Sequence, residues 1–273
     1  MGYSVHNVPH HLIDFLDPGD RFSAGDFVNL AKKTIRDIRE RGKLPIIVGG
    51  TGLYIEALVD GLAPLPPAND KIRTELTNQI KRRGLKSLHV ELERVDPVSA
   101  RKIPINNIQR LIRALEVYKL TGTAISEWHK KTMKPTNEEF QLFGLLWPRP
   151  LLHRNIEERS LRILPGMVKE SRILLKKGYS ADCPGLQALG YREALAYIKG
   201  GIDKTELLER LNRSTKQLAK RQMTWFRGDK RIHWIPCGPR FSPEKIANLI
   251  HKSLPLTRPS ATPLSLKGRG NEY

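Results

Sequence analysis

The sequence is short of cysteine, of acid and of long apolar runs, and each shortage removes a class of answers. Two cysteines, Cys183 and Cys237, stand among 273 residues. They make no disulfide framework and lack the C-x-x-C spacing of a zinc site, so both read as small core or surface residues. No segment approaches the roughly 20 consecutive apolar residues that span a bilayer. The start, MGYSVHNVPHH, has neither the charged beginning nor the apolar centre of a signal peptide. These absences point to a soluble, cytoplasmic protein. Twenty-eight Asp and Glu face 47 Lys and Arg, a formal net charge of +19. Such an excess calls for a polyanion. An anionic membrane is the rival polyanion, and nothing in the chain supports a membrane segment.

The 39% of hydrophobic residues suffices for a packed core. Ser23-Ala-Gly-Asp26 is a capping box, after which Phe27, Leu30, Thr34, Ile35 and Ile38 recur at helical spacing until Gly42 and Pro45 supply a stop. The helix leads into Leu44–Val48, an apolar β-branched run that predicts a strand. Upstream, His10–Leu16 predicts another, on which adjacent His10 and His11 would point to opposite faces. This alternation predicts a parallel α/β sheet. GLAPLPPAND, residues 61–70, breaks away from it, and a charged helical pattern follows to about Lys130. Residues 140–147 (FQLFGLLW) and Ile232–Ile235 (IHWI) predict two further strands. Between them a helical tract runs from about Leu151 to Phe226, broken near 183–185 and 200–201. Pro165-Gly166 is also expected to interrupt it, since proline costs a helix about 3 kcal/mol and glycine about 1. The domain reading is a partial α/β domain over 1–66, a helical insertion over 67–135, a return to the α/β domain with helices over 136–252, and a disordered tail over 253–273 rich in Pro, Ser and Gly.

Gly49-Gly50-Thr51 joins the strand Leu44–Val48 to a helix start. Such a turn leaves backbone N–H groups free where the helix dipole is positive, and an anion, usually a phosphate, binds there readily. Many strand-to-helix turns contain glycine without binding anything, and the Thr51 hydroxyl can serve either as helix cap or as phosphate ligand. Arg110 and Arg113, three apart in NNIQRLIR, share a helix face opposite the apolar Ile108, Leu111, Ile112 and Leu115. That face reads either as solvated charge or, with Gln109, as donors suited to bases and phosphates. Arg210, Arg213, Gln217, Lys220, Thr224 and Arg227 form one ridge of a helix, flanked by Lys216 and Arg221. Its like charges repel unless a polyanion is present. Trp225 and Phe226 at its end are core or stacking residues, with core the default for either ring.

In order along the chain, VPHHLIDFLDP, PIIVGGTGLYIEALVDGL, QRLIRALEVY, LGYREALAYIKG and QLAKRQMTWFRGDKRIHW resemble the tRNA dimethylallyltransferases. The resemblance covers nearly the whole chain except the terminal tail. It implies a P-loop kinase-like parallel sheet, N-terminally incomplete here, with a helical insertion and a helical C-terminal part. The implied reaction moves the dimethylallyl group of dimethylallyl diphosphate to the exocyclic amine of the adenosine 3′ of the anticodon, assisted by magnesium, with tRNA as partner and the protein a monomer. By resemblance, Gly49, Gly50 and Thr51 hold the diphosphate, Thr51 also lies beside the reacting adenosine, and Arg159 of the IEER segment contacts the diphosphate. Arg73, Gln109, Arg110, Arg113, Gln187, Gly190, Tyr191, Arg192, Arg213, Lys216, Gln217, Lys220, Arg221 and Arg227 match tRNA-contacting segments. No metal-binding residue is assigned.

The family begins with G-x-x-x-x-G-K-[ST], a loop that cradles phosphates. These 273 residues contain no such pattern, nor the following aspartate expected as general base. Asn106-Asn107-Ile108 stands where the family usually has Asn-Asp-Pro. The chain therefore reads as an N-terminally shortened member, expected to show little or no transfer as written. A second reading is a catalytically inactive basic tRNA- or RNA-binding protein. A third is an adenylate isopentenyltransferase for cytokinin synthesis, a substrate that needs no long basic ridge.

Overall fold

The computed structural model describes residues 3–5, 8–130, 140–239 and 241–254, which form two compact units. The first comprises residues 1–140 and 179–187, the second 141–178 and 188–273. The expected tail from 253 lies almost wholly outside the described residues.

In the first unit, strands β1 (Tyr3–Val5) and β2 (Val8–His10) pair antiparallel. Helix α1 (Ala24–Glu40) starts at the predicted capping box: Ser23 Oγ accepts from the Asp26 amide at 3.2 Å, and Asp26 accepts from the Ser23 amide at 2.9 Å. Its buried stripe is Val28, Ala31 and Ile35, which packs on Ala57 and Leu58 of α2 (Gly52–Val59). Helices α3 (Asp70–Arg83), α4 (Leu85–Val95), α5 (Pro97–Lys102), α6 (Ile108–Thr121) and α7 (Ile125–Lys130) follow. Leu76, Leu88, Leu92, Leu111, Leu115 and Val117 form their common core. The helical pattern expected between Asp70 and Lys130 is therefore present.

In the second unit, strands β3 (Leu142–Leu146) and β4 (Ile232–Pro236) pair parallel, with Gly144 opposite Trp234. A Cβ on Gly144 would lie 2.6 Å from the indole, so only glycine admits the ring there. Helix α8 (Arg149–Lys176) connects to α9 (Tyr191–Ile198), α10 (Lys204–Phe226) and α11 (Pro243–Ser253). Leu164, Leu207 and Leu211 are the core among them.

Four expectations need correction. Leu44–Val48 is not a strand: it pairs with no segment among the described residues, and Leu44, Ile46 and Val48 are 66%, 77% and 91% exposed. Strand composition becomes a strand only when a neighbouring edge accepts its backbone hydrogen bonds, and the described residues offer none. His10–Leu16 is likewise not a strand beyond His10, because Leu12 and Asp14 have φ of 57° and 53°, outside the β region. The parallel sheet thus reduces, among the described residues, to the two strands β3 and β4. Finally, Pro165 lies inside α8 without ending it. Burial of Ile156, Ser160, Leu164 and Ser171 along that helix outweighs the local cost.

Candidate functional site

The glycine turn is held by aromatic packing. The Phe27 and Tyr54 rings stack at 4.7 Å, and Tyr54 donates its hydroxyl to the Phe22 carbonyl at 3.0 Å. This pins the first turn of α2 against α1, so residues 49–51 enter the helix from a fixed base. Thr51 occupies the N-cap position, but its hydroxyl makes no capping bond. Between the two uses left open for it, helix cap and phosphate ligand, the capping hydrogen bond is not formed. Gly49 and Thr51 are exposed and Gly50 half-buried.

A groove of about 620 Å³ between α3 and α6 brings together Arg73 and Gln109, two of the predicted residues, with Arg21, Thr74, Thr77, Asn78 and Lys81. Its organiser was missed by sequence reading. Glu116 is fully buried, and its oxygens accept from the Asn69 amide at 2.7 Å, Arg73 Nε at 2.8 Å, Arg73 Nη2 at 3.2 Å and Arg113 Nη1 at 2.6 Å. Burial works to raise its pKa, yet the hydrogen bonds from Arg73, Asn69 and Arg113 prevail and hold the carboxyl below its ordinary value. Arg113 also donates to the Pro66 carbonyl at 2.7 Å. The structure therefore separates the arginine pair expected on one solvated face: Arg113 is tied inward, and Arg110 is exposed. The signal in the sequence was a lone acid inside an apolar stripe, three residues after an arginine.

Gln187 belongs to a single 3₁₀ turn, and its side-chain amide donates to the Ala181 carbonyl at 2.8 Å. In the second unit, Gly190 caps α9 with φ +91°, and its amide donates to buried Glu193 at 2.8 Å. Glu193 also accepts from the Ser214 hydroxyl on α10 at 2.8 Å. Burial opposes ionisation of Glu193, but Ser214 and the Gly190 amide outweigh it and lower the pKa. The Tyr191 hydroxyl donates to Glu170 at 2.7 Å, and burial, reinforced by that carboxylate, pushes it up to about 12. The neighbouring Arg192 is exposed.

The α10 ridge is realised as expected. Arg210, Arg213, Gln217, Lys220, Arg221, Thr224 and Arg227 are all exposed. Arg210 pairs with Glu206, and Lys216 with Glu157 at 2.5 Å. Trp225 at its end is 41% exposed, against the core default. Arg159 is exposed on α8.

Fold and charge together define a helix-rich α/β protein with a small parallel sheet and a basic, exposed helix ridge. Comparison with known proteins makes this specific: a family model described as IPP transferase matches residues 4–229, and the chain belongs to that family. It is 44% identical over 237 residues to the tRNA dimethylallyltransferase of Moorella thermoacetica, covering 85% of this chain and 72% of that one. To the tRNA dimethylallyltransferase of Geobacter metallireducens it is 43% identical, covering 86% and 76%. Among solved structures, the tRNA isopentenylpyrophosphate transferase of Bacillus halodurans superposes with a TM-score of 0.61 at 36% identity, over 90% of this chain and 77% of that one. A eukaryotic dimethylallyltransferase shares the fold at a TM-score of 0.68 and 21% identity, over 89% of this chain and 64% of that one. No helix among the described residues is long and apolar enough to cross a membrane.

Proposed function

We propose that the chain acts in tRNA modification, transferring a dimethylallyl group from dimethylallyl diphosphate to the exocyclic amine of the adenosine 3′ of the anticodon, in the cytoplasm and as a monomer. The observation that carries the reading is the exposed ridge of α10, which supplies sequence-independent attraction for an RNA backbone. The names of the relatives support the enzyme over an inactive RNA binder. A free adenine nucleotide as acceptor is not favoured, since it needs no such ridge.

In this reading the Gly49–Thr51 turn faces the diphosphate with the first amides of α2 and the Thr51 hydroxyl, and Arg159 adds a guanidinium. Both stabilise the charge that develops as diphosphate leaves. Arg73, Gln109 and Arg110 meet the anticodon loop, where an unstacked base can be read by amide and guanidinium donors. Gln187, Gly190–Arg192 and the ridge with Lys216 complete the tRNA contact. Magnesium is an implication of the family resemblance: such an ion is usually held by one or two carboxylates together with substrate phosphates, and the described residues contain no group of three His, Cys, Asp or Glu suited to one. No step is therefore assigned to magnesium.

We infer that these 273 residues by themselves transfer little. They contain no G-x-x-x-x-G-K-[ST] loop, the phosphate cradle that the family resemblance led us to expect. The test measures prenylation of tRNA by the chain alone and with the part of the Moorella thermoacetica relative that the chain does not cover added as a separate polypeptide. We expect transfer only in the second case. Transfer by the chain alone would remove the requirement for the added unit. Binding of tRNA with no transfer in either case would favour the RNA-binding reading.

A further inference from the structure

We propose that a second groove, between α8 and the α9–α10 pair of the second unit, is a track for RNA phosphates separate from the α10 ridge. The inference rests on the tRNA reading above. The groove encloses about 450 Å³ and is lined by Lys169, Arg172, Lys176 and Lys204 above a floor that includes Leu164, Leu207 and Tyr197. No acidic side chain lines it. All four cations are exposed, and none has a carboxylate partner among the described residues.

Geometry sets this groove apart from the ridge. At about 100° per residue, Lys204 lies about 60° to one side of buried Leu207 on α10, whereas Arg213, Lys220 and Arg227 lie about 120–160° to the other. The two surfaces therefore lie about 140–180° apart around the helix. On α8, Lys169, Arg172 and Lys176 share one face at steps of three and four residues, about 4.5 and 6 Å along the axis. They place a row of positive charge along that side of the helix.

Chemistry favours RNA over other anions. Four cations around one groove repel one another, and a polyanion that brings several charges at once relieves that repulsion. Tyr197 in the floor and Ile173 at the edge, 43% exposed, give a ribose or an unstacked base an apolar and aromatic surface. The ridge then grips one part of the tRNA backbone and the groove another, with α10 between them.

The test compares wild-type chain, a groove variant (Lys169→Gln, Arg172→Gln, Lys176→Gln, Lys204→Gln) and a ridge variant (Arg213→Gln, Lys220→Gln, Arg227→Gln). The affinity for tRNA is measured across a KCl series, with polyglutamate as competitor. Each lost phosphate contact lowers the log–log slope by about 0.7–0.9, so the groove variant should lose about 3, and a variant carrying the groove and ridge substitutions together should lose the sum of both. If the groove variant keeps the wild-type slope while the ridge variant loses its own, the groove is no RNA track and the tRNA reading survives. Wild-type chain that binds no tRNA sinks both. Polyglutamate that competes for the groove as well as tRNA does overturns the RNA assignment in favour of an acidic protein. Should the groove variant melt lower than wild type, hydroxyl-radical footprinting of the wild-type complex decides: solvent protection of Lys176 and Lys204 is expected, and its absence refutes the track.

Discussion

Arg73 reaches across from α3 to α6 and donates from Nε and Nη2 to the two oxygens of Glu116, at 2.8 and 3.2 Å. The pair is unequal: the carboxylate is fully buried, while the guanidinium keeps about a third of its surface in water. Glu116 therefore fixes the inner end of a side chain whose outer edge lines the groove with Gln109. The same carboxylate holds the Asn69 amide and Arg113, so one acid sets the start of α3 and the orientation of two arginines.

Removing it separates these roles. Glu116→Ala should destabilise the chain by about 2–4 kcal/mol, somewhat below the roughly 3–5 seen when a fully buried pair is broken, because both arginines retain water. Glu116→Gln keeps the shape and one acceptor. It should cost less stability yet loosen Arg73, seen as weaker tRNA binding with a changed salt slope and a smaller drop in melting temperature than Glu116→Ala. Equal losses in both variants would mean that the acid serves packing alone.

Gly190 admits no side chain. Its φ of +91° disfavours any L residue, and a Cβ would lie 2.1 Å from Met167 Cε and 3.2 Å from Leu211 Cδ1. Gly190→Ala should cost about 2–4 kcal/mol in chemical denaturation, combining backbone strain with overpacking. Adding Met167→Ala should recover only part, since it relieves the clash and leaves the backbone.

Alkaline stability should carry the mark of Tyr191. Its pKa is raised from the ordinary value to about 12, so the hydroxyl proton is held more firmly in the folded chain than in the unfolded one. The stabilisation is fully present below the unfolded pKa, near 10, and is lost as pH climbs toward 12. Tyr191→Phe should flatten that part of the stability curve. A variant that declines as steeply as wild type between those values would contradict the assignment.

Acid should act on the opposite sign of shift. Glu193 is lowered in the folded chain despite its burial, so its contribution is present above the unfolded carboxylate pKa and lost as pH falls through the folded one. Glu193→Gln should lower stability at neutral pH and weaken its dependence on pH in the acid range, read by denaturant titrations at a series of pH values.

The exposed segment makes a contrast with the core. Val48→Ser should change stability by less than about 0.5 kcal/mol, as expected for an open position. Ile35→Ala, at 3% exposure, should cost about 2–5 kcal/mol. A large loss at Val48 would show that the segment is covered in solution.

Local signals in the sequence were enough wherever the physics is local. Ser23 and Asp26 started α1, Gly42 ended it, and the charge ridge of α10 appeared on one exposed face because helical spacing alone decides which side chains align. The turn Gly49–Thr51 and the helix after it were legible for the same reason. Tertiary structure decided what depends on partners distant in the chain. Leu44–Val48 has the composition of a strand but no edge to pair with among the described residues, and Pro165 stays helical because one stripe of α8 is buried. Whether Arg73 and Arg113 face solvent or a carboxylate depended on bringing α3 beside α6, where burying Glu116 requires that its charge be met.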